Sequence, residues 1–260
     1  MRTIAISLLL GFLICGCNSP KKPVTTPADN QFDYRDALNS FKIGVNYLNN
    51  NEVMNAIRHL ERAVSEDGGN YRYHHSLGLA YVLNGRFEDA ERELKQSVAI
   101  NPENPESYNL LGTLYIDLGR YDEAVIALRK AIADKSYPQP HFPYFNYGLA
   151  MQKQGKLDQA KAAYLRAVRL KADFYRAYLK LGEVCKQEKN MDEALMYFLK
   201  AERGYPDNAE LLYQVGHTLF VLKRYGEAKH YLAQLTILFP PPHIDNPARR
   251  MLRLLENVSE

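Results

Sequence analysis

The side chains in this 260-residue chain that could act as nucleophiles or metal ligands are three Cys and seven His. Their spacing favours neither role. No His pair forms an HExxH motif, and none stands at zinc-ligand spacing from a Cys. His74 and His75 are adjacent. On a helix they would point about 100° apart and could not chelate together as an i, i+4 pair does. Cys185 is the one Cys in the body of the chain, so no disulfide can form there, and it is expected to be a packed, inert thiol. Glu91 and Glu93 form a carboxylate pair whose expected place is a solvated helix face. No GxxxxGK[ST] phosphate loop occurs. The expectation is a chain that is not an enzyme, with no catalytic residues, no metal and no cofactor.

Charge excludes another class. The formal net charge is only +3, and Lys and Arg alternate with Asp and Glu throughout. Nucleic-acid binding would need a clustered basic surface. Neither a nucleic acid nor a small-molecule substrate is expected as partner.

The elements that must position any binding residues are helices. Between Pro105 and Ala133, residues Tyr108, Leu111, Gly112 and Tyr115 fall at i, i+3, i+4 and i+7 and share one helical face. Gly119 stands where a helix ends and the backbone needs a positive φ. Asp122 and Glu123 open a second helix at its positive end, and Ala124, Leu128 and Ala131 make its apolar stripe. This hairpin recurs. Gly44, Gly78, Gly112, Gly148, Gly182 and Gly216 step by 34, 34, 36, 34 and 34 residues. Ala56, Ala90, Ala124, Ala160, Ala194 and Ala228 step identically. The two ladders, with aromatic residues at fixed offsets, resemble the tetratricopeptide repeat (TPR). That resemblance implies an all-α fold: a right-handed superhelical solenoid of six helix-turn-helix repeats spanning 34–242, at about 37–70, 71–104, 105–140, 141–174, 175–208 and 209–242. A C-terminal capping helix would follow within 243–260, capped by Asn246 with Pro247 in its first turn.

In such repeats the first helix of each pair lines a partner-binding groove, chiefly through the fifth and ninth positions. Here these are Phe41 and Val45, His75 and Leu79, Asn109 and Thr113, Phe145 and Leu149, Leu179 and Glu183, and Tyr213 and His217. The set is largely apolar and aromatic, which suits an amphipathic helix or an extended segment of a protein partner. The Lys, Asn and Arg set that captures an acidic chain end in chaperone-type TPR proteins is missing from Phe41, Val45, His75 and Leu79.

The amino terminus adds a membrane address. Arg2 and the apolar run Ile4–Ile14 form a signal sequence, too short to span a bilayer stably. Ile14-Cys15-Gly16-Cys17 follows and resembles a bacterial lipobox. The resemblance implies a signal peptide 1–16, cleavage between Gly16 and Cys17, and a diacylglycerol and an N-acyl chain on Cys17. Residues 17–33 are rich in Pro, Lys and Thr and read as a flexible tether. Asn18, where an Asp would favour inner-membrane retention, points to the periplasmic face of the outer membrane.

One join breaks the period. Residues Ser136 to Pro143 hold three prolines and two extra residues, and helix is not expected to cross them. Tyr137-Pro138 and Asn146-Tyr147-Gly148-Leu149 at this join, with the lipobox and six repeats, resemble the pilotin lipoproteins of type IV pilus systems. That resemblance implies binding of an outer-membrane secretin subunit and promotion of its assembly. A TPR lipoprotein that scaffolds envelope enzymes of peptidoglycan turnover or polysaccharide export is the competing expectation.

Overall fold

The computed structural model describes residues 34–256. Gly16, Cys17 and the tether lie outside the described residues. Among those described there are thirteen α-helices and no strand. The first four are α1 (Tyr34–Asn49), α2 (Val53–Glu66), α3 (Tyr71–Asn84) and α4 (Phe87–Ile100). Then come α5 (Pro105–Asp117), α6 (Tyr121–Ala133), α7 (His141–Lys153) and α8 (Leu157–Leu170). The last five are α9 (Tyr175–Gln187), α10 (Met191–Glu202), α11 (Ala209–Val221), α12 (Tyr225–Ile237) and α13 (Pro242–Glu256). Six consecutive helix pairs and a final helix therefore match the expected order. The described residues form two compact units, divided between Leu114 and Tyr115 inside α5.

Within the first unit α1 packs on α2, α2 on α3 and α3 on α4. The two glycine-bearing helices there show why the Gly ladder exists. A Cβ on Gly44 would come within 2.7 Å of Leu60 Cγ, and one on Gly78 within 2.7 Å of Leu94 Cγ. Both distances are too short for any side chain, so each Gly is what lets the paired helix approach. Ala56, Leu60 and Ala63 on α2 and Ala90 and Leu94 on α4 are fully buried against these contacts.

The second unit repeats the arrangement from α6 to α12. Here the residue facing Gly is Tyr164 opposite Gly148, Phe198 opposite Gly182 and Leu232 opposite Gly216. Its core includes Met151, Leu181, Val184, Leu212 and Leu219. Cys185 is fully buried among them, as its repeat position implies, and burial raises its thiol to about 11.

Each hairpin turn needs one residue in the left-handed region. Gly85, Gly119 and Gly155 supply it at φ 77°, 74° and 74°, and Asn51, Lys189 and Lys223 occupy it at φ 60°, 62° and 60°. These positions step with the ladder.

Two sequence expectations need correction. The terminal helix starts at Pro242, not at Asn246, and Pro247 lies inside it. Pro242 opens the helix with a preset φ, and Ile244 and Asp245 N–H both donate to Pro241 O. Ile244, Ala248, Met251 and Leu255 then form the buried stripe, so including Ile244 extends the apolar face by one turn. The helix packs on α12 and α11 and covers their end. The join also differs in part. Residues 134–140 are non-helical, but α7 includes Pro143, which is buried in its first turn where a missing N–H has no helical partner to lose. Tyr137 is buried and pins the longer connection.

Candidate functional site

The predicted contact positions fall on the first helix of each pair, and each unit presents its own face. In the first unit, Phe41, Val45 and Leu79 are half-buried, so each offers part of its apolar surface. The Phe41 ring lies 4.8 Å from that of Tyr73, which fixes its orientation. Thr113 is half-buried and its Oγ1 donates to Asn109 O at 3.0 Å. Asn109 itself is buried. Its side chain is not open to a partner, contrary to its expected place.

The adjacent histidines serve separate networks. His74 Nδ1 lies 2.8 Å from Glu93 Oε2, and its Nε2 lies 3.0 Å from Gly68 O. A carboxylate and a carbonyl only accept, so both ring nitrogens donate and the ring is an imidazolium. Burial alone would lower the His74 pKa, but the Glu93 hydrogen bond, the Gly68 carbonyl and the Glu93 charge hold it above the usual value. Glu93 is therefore buried on α4 and is not the solvated carboxylate its spacing suggested.

His75 turns the other way, toward a hydroxyl cluster. Its Nδ1 lies 2.8 Å from Ser107 Oγ. Ser107 Oγ is 2.9 Å from Ser97 Oγ and accepts from Asn104 Nδ2 at 2.8 Å. Ser97 Oγ donates to Tyr71 O at 2.9 Å. Desolvation lowers half-buried His75 to about 4, so it is a neutral, positioned ring at neutral pH. Neither the Ser97–Ser107 cluster nor the His74–Glu93 pair was legible in the helical pattern, because both join residues on different helices.

In the second unit the face belongs to α7, α9 and α11. Phe145 is buried in a cluster with Phe174 at 5.1 Å and Tyr164 at 5.6 Å between ring centroids. It is core, not open surface, because the adjoining helix pair covers it. Leu149, Leu179 and Tyr213 are half-buried. Glu183 pairs with Lys180 at 2.7 Å, and His217 lies 5.9 Å from the Tyr213 ring. Successive first helices are linked by Gln152 Nε2 donating to Gln187 Oε1 at 3.5 Å and Lys186 Nζ donating to Gln214 Oε1 at 2.8 Å. Lys186 and Phe220, one turn beyond the ninth position, add to this face. The same inward period, carried to the twelfth position, reaches both.

Known proteins bear on this arrangement in three ways. Residues 49–131 match the family model described as anaphase-promoting complex, cyclosome, subunit 3. Residues 146–209 match the tetratricopeptide-repeat model. No curated protein sequence matches the chain. Among solved structures, PilF of Pseudomonas aeruginosa is 23% identical with a TM-score of 0.73, covering 79% of this chain and 93% of PilF. PilW, a widely conserved type IV pilus biogenesis factor, is also 23% identical with a TM-score of 0.73, covering 88% of this chain and 100% of PilW. MamA is 29% identical over 62% of this chain and 93% of its own, with a TM-score of 0.56. At these identities the likeness to PilF and PilW is one of fold.

Proposed function

We propose, on the premise that the chain is a tetratricopeptide-repeat protein, that it is an outer-membrane lipoprotein of type IV pilus biogenesis. In this reading the repeat body binds the secretin subunit and the acyl chains on Cys17 supply the membrane address. The observation that carries it is the near-complete coverage of PilF and PilW by this chain. The half-buried apolar side chains of the first helices, Phe41, Val45, Leu79, Leu149 and Tyr213, support capture of a protein segment. A repeat body with paired surface charges and apolar first-helix faces has the chemistry of a binding module.

The competing reading, an adaptor that scaffolds envelope enzymes, uses the same faces for another partner. Deletion of the gene separates the two. Loss or mislocalisation of heat-stable secretin multimers, with loss of twitching, is the expected result. Normal multimers in the outer membrane without this protein would sink the pilotin reading in favour of the adaptor.

A further inference from the structure

The second unit carries two basic side chains, Lys186 and His217, on neighbouring first helices, and the hydrogen bond of Lys186 goes to a neutral amide although Glu210 and Glu183 act on its charge. Lys186 is half-buried near the end of α9, and its Nζ donates to the neutral Gln214 Oε1 on α11 at 2.8 Å. The acids nearby are engaged elsewhere. Glu183 takes Lys180 at 2.7 Å, and Glu210 accepts from Gln214 Nε2 at 2.7 Å. His217 stands one turn from Gln214 on α11, half-buried, with its Nδ1 enclosed and unpartnered. A stranded N–H costs more than an unused lone pair, so the proton belongs on Nε2, which is then a donor. Desolvation and the Lys186 charge lower the pKa of His217. Desolvation also lowers Lys186, although Glu210 and Glu183 offset part of it. The Lys186 ammonium and the neutral His217 Nε2–H are both desolvated donors, and an anion that accepted from both would offset that desolvation.

We infer that Lys186 and His217 form a subsite for the side-chain carboxylate of an Asp or Glu within a bound partner segment, with Leu179, Tyr213 and Phe220 receiving its apolar neighbours. This rests on the reading that the first-helix faces bind a protein segment. Two donors match the two oxygens of one carboxylate. The apolar side chains flanking them call for a chain that continues past the acid, so an internal residue fits better than a chain end.

The test uses the full chain and two fluorescent peptides with blocked ends, Phe-Leu-Glu-Leu-Phe and its Gln counterpart, followed by anisotropy at low salt. The Glu peptide is expected to bind about fivefold tighter or more, as a charge-assisted pair would require. Lys186→Met should abolish that preference while leaving the Gln peptide within about twofold of its original affinity, which also reports an intact fold. His217→Gln should reduce the preference without abolishing it. Equal affinities in the original protein, a preference that survives Lys186→Met, or binding of neither peptide would overturn the subsite. The secretin-multimer assay does not depend on these two residues and judges the broader reading separately.

Discussion

At the scale of single residues, adjacent His74 and His75 carry opposite electrostatic assignments. His74 is held above the ordinary value of 6.5, whereas His75 falls to about 4. The signs of their linkage to stability are therefore opposite. The His74 contribution is fully present below 6.5, the ordinary value, and is lost as pH rises through its raised folded value. The His75 contribution is present above 6.5 and is lost as pH falls toward about 4. Imidazole NMR titration should find His75 still neutral at about pH 5, with His74 titrating above the ordinary value of 6.5. Glu93→Gln should remove the His74 elevation and destabilise the first unit by about 1–3 kcal/mol, the cost of weakening a buried charge-assisted hydrogen bond. A Glu93→Gln protein with an unchanged His74 titration would refute the pair.

At the scale of elements, hairpin geometry explains both the strong signals and their exceptions. Arg86 and Arg120 lie over the Tyr81 and Tyr115 rings at 4.2 and 4.5 Å, bracing two of the turns after the left-handed residue. Arg120 also bonds Glu123 in the following helix, whose acidic first turn was predicted. In the second unit Lys161 Nζ on α8 bridges Glu188 and Glu193 at 3.1 and 2.8 Å, tying one hairpin to the next turn. The left-handed turn residues make a direct prediction. Lys189 and Lys223 hold φ 62° and 60° where three other turns use Gly. Lys189→Gly and Lys223→Gly should each stabilise the second unit by about 0.5–1 kcal/mol, since relief of left-handed strain exceeds the added entropy of Gly. Gly119→Ala, at φ 74°, should destabilise by a similar amount, about 1 kcal/mol. Urea unfolding monitored by circular dichroism measures all three. Stabilisation by Gly119→Ala would contradict the strain argument.

At the scale of the whole molecule, the repeat body and the proposed anchor are separable. No helix among the described residues is long and apolar enough to cross a membrane. In the proposed function, attachment rests on the acyl chains that Cys17 would carry. Cys17→Ser should leave helical content and thermal unfolding unchanged while releasing the protein from membranes, since several acyl chains carry the binding energy. A Cys17→Ser protein that still sediments with the outer membrane would show that another surface holds it there.

What the amino-acid sequence determined by itself was periodic. A Gly every 34 residues with an Ala twelve later encodes helix pairs because only those small residues permit the approach seen at Gly44 and Gly78. The buried thiol of Cys185 and the left-handed backbone at Gly119 followed from the same register. Local signals were less decisive where two could compete. Asn246-Pro247 has the form of a helix start, yet Pro242 offers an earlier one that buries Ile244 as well. The tertiary structure alone decided which face positions are covered. Phe145 and Asn109 occupy groove positions by count, but both are buried. It also paired Glu93 with His74 and joined Lys186 on α9 to Gln214 on α11. Such pairings depend on distances between helices, which a period within one helix does not contain.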